Sequence, residues 1–385
     1  RCPSMSGWSA AWDAYLSWDQ RRCLDLRAAE RFARGHLAHA THVDGAASLR
    51  PRFSTLPPPG LPFLVVCDAE ELDHVARVFQ PPERWAIHAI IAVRSADTSA
   101  FLAPPSDASH PCFVVTDAEL AQAARHSGVW RSAPAQARTQ DDSPHLLFRP
   151  APAVARVAEV VEQRRLASVN VLDIGCGAGR DITYLLARAR ASGSNCVWRA
   201  TALDRWKAAL ERVRLLLSDH GMLATSTDSS GALCDAVLDA VVEQDGKVRR
   251  APYGPLALDA FASTCLPHRQ YDLVLFIRFW HLPLLRQLPT LVAPAGLVVL
   301  SHFVHEPHSV GVPCDAHVLS EYASPPVDAR IHPGDVELLL EGWEKAVGRS
   351  EPSWRVLENR IEAVEDGRPV QSVLIERIAS CSPRA

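Results

Sequence analysis

Residues 171–181 read VLDIGCGAGRD, with Gly175, Gly177 and Gly179 at every second position directly after an apolar run. Glycines at this spacing let the backbone turn tightly and bring its N–H groups against a ligand. A dinucleotide fingerprint spaces its glycines G-x-G-x-x-G and requires glycine at 180, where arginine stands; a P-loop requires Gly-Lys-Ser/Thr, and none follows. Asp173, the acid before the loop, repels a phosphate and attracts a cation. A second acid, Asp204, ends the next apolar run, 25 residues after Gly179. At the end of a strand such a carboxylate accepts hydrogen bonds from the two hydroxyls of a ribose. A positively charged nucleoside without phosphate satisfies both acids; a plain tight turn is the bland alternative.

S-adenosylmethionine is such a nucleoside, carrying a sulfonium and an ammonium. The stretch VLDIGCGAGRD followed by Asp204 resembles motif I of the class I S-adenosylmethionine-dependent methyltransferases. The resemblance implies a Rossmann-like seven-stranded α/β domain. In it Asp173, Gly175, Cys176, Gly177 and Gly179 line the methionine end of the cofactor and Asp204 holds the ribose. No acid within SDHGMLATSTDSSGALCDAVLDAVVEQDGKVRRAPYG (218–254) aligns with the adenine contact.

Methyl transfer asks an enzyme to align a nucleophile and keep it deprotonated. In this class the loop after the fourth strand faces the acceptor, and here it reads LVLFIRFWHLP. The Asn/Asp-Pro-Pro-Tyr arrangement of enzymes that methylate base amino groups is absent from it. Arg278 is the candidate to hold an anionic acceptor by charge-assisted hydrogen bonds, and His281 the candidate to take a proton near neutral pH. The alternatives are an ion pair for Arg278 and a helix cap for His281. The pieces GCGAGRD, DLVLFIRFWHLPLL, PAGLVVLSHF and EDGRPVQSVLIER are together similar to the tellurite-resistance-type methyltransferases. That resemblance implies a small nucleophilic acceptor, a chalcogen oxyanion or a thiol.

A second chemistry is suggested nearer the beginning. RRCLDLRAAERFARGHLAHATHV (21–43), followed by LPFLVVCDAEELDHVARVF (61–79), resembles a rhodanese-like domain. The resemblance puts Cys67 where rhodaneses carry the sulfur-accepting thiolate and gives Asp25 and Arg27 a structural role between strand and loop. A persulfide-carrying cysteine needs donors and positive charge to lower its pKa. Here Asp68, Glu70, Glu71 and Asp73 follow Cys67 and no glycine turns the loop, so a degenerate domain with an inert cysteine is expected.

These residues need strands and helices to position them. From 153 on, AVARVAEVVEQRRLA has helical spacing, VNVLDI and CVWRATAL read as buried strands, and DITYLLARARA and RWKAALERVRLLLSDHG read as helices. YDLVLFIRF and GLVVLSHFV are further strands with the helical stretch PLLRQLPTLVA between them. WRVLENRIEAVEDGRPVQSVLIERIA reads as a closing antiparallel hairpin. Alternating strands and helices predict a parallel, doubly wound α/β sheet. The expected organisation is a rhodanese-like domain over 1–131, a proline-rich linker over 132–152 and a methyltransferase domain over 153–380.

Composition sets the outer limits. The 385 residues are 48% apolar, enough for two cores. The net charge of −4 lacks the basic surplus of a nucleic-acid binder, and no apolar run reaches the length of a membrane span. The expected partner is a small molecule, with neither nucleic acid nor membrane; the oligomeric state stays open. Ten cysteines are scattered without a Cys-x-x-Cys pair, which points to reduced thiols and a cytoplasmic or organellar location. His302, His305 and His308 have ligand-compatible spacing, but no cysteine or aspartate cluster supports them, so a solvated loop and no metal are expected. Two other functions compete with methyl transfer: a non-catalytic S-adenosylmethionine sensor or scaffold, and an active rhodanese sulfurtransferase.

Overall fold

The computed structural model describes residues 8–58, 60–80, 85–95, 109–132, 145–193, 195–224, 231–305, 325–348, 353–364 and 367–379. His308, Cys2, Cys314, Cys381 and most of the proline-rich stretch lie outside them. The chain divides into two compact units, Arg1–Arg149 and Pro150–Ala385. Among the described residues no helix is long and apolar enough to cross a membrane.

The first unit is built on five strands: β1 (Cys23–Asp25), β2 (Ala40–His42), β3 (Phe63–Asp68), β4 (Ile87–Arg94) and β5 (Cys112–Thr116). They lie in the order 2-1-3-4-5, every neighbouring pair parallel. The period-two alternation of β3 explains the layering. Phe63, Val65 and Cys67 enter one core with Leu72 and Val75 of helix α3 (Leu72–Val78). Leu64 and Val66 enter the other with Trp12 and Tyr15 of α1 (Ser9–Ser17) and Leu120 of α4 (Asp117–His126). A parallel sheet covered on both faces needs strands that are apolar along most of their length, as β3 is before Asp68 and β4 is between His88 and Arg94. Helix α2 (Ala29–Arg34) lies between β1 and β2 in the chain. Thr116 and Glu119 close a capping box at the start of α4.

The second unit opens with α5 (Pro152–Gln163) and continues β6 (Ser168–Ile174), α6 (Arg180–Ala191), β7 (Val197–Asp204), α7 (Lys207–Asp219) and β8 (Ala232–Asp239). After three short strands, β9 (Val241–Val242), β10 (Val248–Arg250) and β11 (Tyr253–Leu256), come α8 (Leu258–Cys265), β12 (Tyr271–Ile277), α9 (Leu282–Leu285) and β13 (Val292–Phe303). Helix α10 (Asp335–Val347) and the strands β14 (Trp354–Ala363) and β15 (Pro369–Arg377) finish it. The seven long strands order as β8-β7-β6-β12-β13-β15-β14. Only β15 runs against its neighbours, pairing antiparallel with both β13 and β14. The core between sheet and helices includes Leu172, Phe261, Val274, Leu300 and Trp343.

Three local expectations change. The first helix stops at Gln163, before Arg165 with its φ of 50°. The apolar stretch after β12 keeps only the single turn α9 and a 3-10 turn over Leu288–Thr290, because Pro289, inside the expected helix, removes a backbone donor, whereas Pro283 stands in the first turn of α9, where none is needed. β9, β10 and β11 form a small antiparallel sheet inside the stretch that sequence reading left unassigned.

Candidate active site

The glycine loop joins the carboxyl end of β6 to α6, beside the end of β7. Gly175 and Cys176 donate their N–H groups to the Leu203 carbonyl, at 2.8 and 3.1 Å, which pins the loop to β7. Gly177 N–H donates to Asp204 Oδ2 at 2.9 Å, and Trp206 N–H donates to Oδ1 at 2.9 Å. Asp204 is thereby held by two backbone donors. At Gly175 (φ 78°) a Cβ would lie 2.8 Å from Phe279 Cβ and Cγ, so only glycine admits that ring. At Gly177 (φ 54°) a Cβ would meet nothing within 4 Å. Gly179, left-handed as well, is the N-cap residue of α6.

Asp173 lies beneath this loop with 1% of its surface exposed, and its Oδ1 has no hydrogen-bond partner among the described residues. Burial pushes its carboxyl well above the ordinary carboxylate range, and the nearby Asp181 and Asp204 push it further. A phosphate here would add to that repulsion, whereas a cation would relieve it. Asp181 Oδ1 accepts the Ala151 N–H at 2.7 Å, tying the segment before α5 to α6. Burial, Asp173 and Asp204 likewise push the Cys176 thiol up, which disfavours its thiolate.

The loop after β12 forms the neighbouring wall. Arg278 is exposed and takes a φ of 57°, and its N–H donates to Ser301 O at 2.7 Å. A left-handed arginine costs about 1 kcal/mol relative to glycine, strain of a kind found at functional turns. Phe276, Phe279 and His281 stack in parallel, with ring centroids 6.0 and 6.4 Å apart. His281 Nδ1 accepts the Leu284 N–H at 3.3 Å and so caps α9. Burial lowers the His281 pKa, partly opposed by a backbone hydrogen bond and Asp245. A neutral ring accepting at Nδ1 carries its proton on Nε2, so in this arrangement it offers a donor rather than a free base. The helix cap and the proton acceptor therefore compete for one lone pair.

Three carboxylates and an aromatic that the sequence did not align with any cofactor contact stand near this site or along its flanking strand. Asp239 ends β8 directly across from Asp204 and is exposed. Its signal was its place at the end of the strand ALCDAVLD, but the short strands after it hid where β8 stops. Asp235 lies lower on β8, 3.4 Å from Arg199, and Asp259 sits in the first turn of α8. Trp206, 59% exposed, stands two residues after Asp204 with Arg205 over its ring.

Of the three histidines expected in a solvated loop, His302 is instead buried on β13, His305 lies just beyond that strand, and His308 is outside the described residues. His302 is buried and donates from Nε2 to Ala329 O at 3.0 Å, and its pKa falls to about 4, chiefly through burial. His305 stacks on His332 with centroids 3.9 Å apart. Among the described residues no three His, Cys, Asp or Glu side chains are grouped to hold a metal.

In the first unit Cys67 is fully buried on β3. Burial drives its thiol pKa well up, with Glu71 and Asp68 adding to the effect. Arg27 grips Asp25 through Nε and Nη2 and reaches Gly35 O at 3.0 Å. Asp68 accepts the Ala28 N–H at 2.9 Å and pairs with Arg31, whose Nη2 also meets Asp117 at 2.7 Å. Glu71 accepts the Ala46 N–H at 3.2 Å. The acids after Cys67 thus tie neighbouring loops together.

No protein-family model matches the chain. A curated relative from Schizosaccharomyces pombe, itself an uncharacterized protein, is 33% identical over 240 residues, or 61% of this chain. The chain spans 65% of that relative's length. Among solved structures, a SAM-dependent methyltransferase from Methanosarcina mazei is 11% identical with a TM-score of 0.35, over 57% of this chain and 98% of that one. A SAM-dependent methyltransferase from Aquifex aeolicus is 17% identical with a TM-score of 0.31, over 57% of this chain and 89% of that one. An arsenic(III) S-adenosylmethionine methyltransferase from Chlamydomonas reinhardtii is 16% identical with a TM-score of 0.33, over 61% and 76%.

Proposed function

We propose that the Pro150–Ala385 unit binds S-adenosylmethionine and transfers its methyl group to a small nucleophile, a chalcogen oxyanion or a thiol. The observation that carries this reading is Asp173, a buried carboxyl with an unpartnered oxygen, crowded by Asp181 and Asp204 beneath an open glycine turn. Such a site favours a cationic nucleoside over a pyrophosphate. When bound, the cofactor supplies an electrophilic methyl group on a sulfonium. The chain's own part is to hold and align. Asp173 faces the cationic end, Gly177 leaves room for the ligand, and Asp204 takes the ribose. Arg278 anchors an anionic acceptor, and His281 donates a hydrogen bond from Nε2 toward it. The order of the seven strands, with β15 alone reversed, supports the class I assignment.

Transfer of a radiolabelled methyl group to selenite, tellurite and small thiols tests the reaction. Labelled product that disappears in Asp204→Asn and Arg278→Ala is the expected result; cofactor binding without turnover on any acceptor would favour the sensor. For the first unit we infer a rhodanese-like domain that no longer transfers sulfur, on the strength of the buried, acid-flanked Cys67 and the Asp25–Arg27 tie. A cyanide–thiosulfate assay is expected to show no activity, and activity that vanishes in Cys67→Ser would overturn the inference.

A further inference from the structure

The small sheet between β8 and α8 is more than a connection. Ala240, the residue between β8 and β9, donates its N–H to Asp204 O at 3.0 Å, so the root of the insert is fastened beside the ribose-position acid. Its first turn, Glu243–Lys247, reaches the loop that follows β12. At Gly246 (φ 83°) a Cβ would lie 2.5 Å from Pro283 C and 2.6 Å from Pro283 O, so the turn and α9 touch backbone to backbone. Gln287 fastens this contact. Its Nε2 donates to Gly246 O at 3.0 Å and to Pro283 O at 3.2 Å, while its Oε1 accepts the Leu258 N–H at 2.9 Å. That last bond caps α8, whose own N-cap residue, Ala257, provides none. One amide therefore joins the insert, α8 and the turn that His281 caps.

We propose that Gln287 is a positioning residue that latches the His281 loop to the β9–β10 turn, so that filling the crevice at Asp204 also sets the acceptor-side wall. The inference rests on the reading of that crevice as an S-adenosylmethionine site. Its two ends are linked by a continuous path: Asp204, Ala240, the β9–β10 turn, Gln287 and α9. Gln287→Glu separates the latch from the cap, because a carboxylate still accepts the Leu258 N–H but cannot donate to two carbonyls and is repelled by them.

The test is hydrogen–deuterium exchange on the full chain, with and without S-adenosylhomocysteine, in the unaltered protein and in Gln287→Glu. In the unaltered protein the ligand is expected to slow exchange about tenfold both at the glycine loop and at the amides of Leu284–Arg286. In Gln287→Glu the glycine loop remains slowed and the α9 amides do not respond. Equal slowing of α9 in both proteins, or none in the unaltered one beside a slowed glycine loop, overturns the latch alone. No slowing at the glycine loop of the unaltered protein overturns the cofactor reading and the latch with it.

Discussion

At Asp204 one carboxylate serves two backbone donors and, in the proposed complex, a ribose. Asparagine there loses the charge and replaces one acceptor with a donor facing a backbone N–H. Asp204→Asn is expected to weaken S-adenosylhomocysteine binding on the order of 10- to 100-fold in a calorimetric titration. Arg278 combines a strained backbone with a side chain proposed to hold the acceptor, and two substitutions separate them. Arg278→Gly and Arg278→Ala both delete the guanidinium, but only glycine relaxes at a φ of 57°. The glycine variant is expected to be about 1 kcal/mol more stable than the alanine variant in denaturant unfolding, with methyl transfer equally impaired in both. Full transfer by either variant would remove Arg278 from the acceptor site. His302 sets an acid limit on stability. Unfolded, it binds a proton below about pH 6.5; folded, it stays neutral to about pH 4. The unfolded state therefore holds more protons in that window, and stability falls as pH drops through it, by roughly 3 kcal/mol in all. His302→Gln is expected to flatten this part of the stability–pH curve.

At the scale of elements, the glycine loop illustrates how one motif carries two kinds of constraint. An alanine at 175 meets the Phe279 ring at 2.8 Å, whereas one at 177 meets open space. Gly175→Ala is thus expected to lower the melting temperature more than Gly177→Ala, and Gly177→Ala to weaken cofactor binding with the smaller stability loss. Equal melting temperatures would count against the packing role of Phe279. The strands and helices flanking this loop were legible in the sequence because β6 and β7 are rich in apolar residues, Val169, Val171, Leu172 and Ile174 in one and Val197, Trp198, Ala200, Ala202 and Leu203 in the other, and α6 places Ile182, Leu185 and Leu186 on one buried face. The insert was not. β9, β10 and β11 have two to four residues each, too few to show a period, and their places come from tertiary contact. Gln287 was invisible for the same reason: Gly246, Pro283 and Leu258 converge on it only after folding. The helical spacing after β12 misled because Pro289 interrupts it.

At the scale of the molecule, each unit carries its own core and its own sheet, wholly parallel in the first and parallel but for β15 in the second. Pro150–Ala385 expressed alone is expected to unfold cooperatively and to bind S-adenosylhomocysteine like the full chain; an unfolded fragment would contradict that autonomy. The central claim is that the crowded acids beneath the glycine turn await a cation. Asp173 keeps its proton more firmly than an ordinary carboxyl before binding. A cation lowers that pKa, so the proton leaves as the ligand enters, and affinity rises with pH until the unliganded carboxyl is itself ionised. The most direct measurement is calorimetric titration of the full chain with S-adenosylmethionine, and separately with NAD, in two buffers of different ionisation enthalpy. Binding of S-adenosylmethionine with proton release that is lost in Asp173→Asn, and no binding of NAD, is the expected result. Uptake of NAD with no heat from S-adenosylmethionine would contradict it.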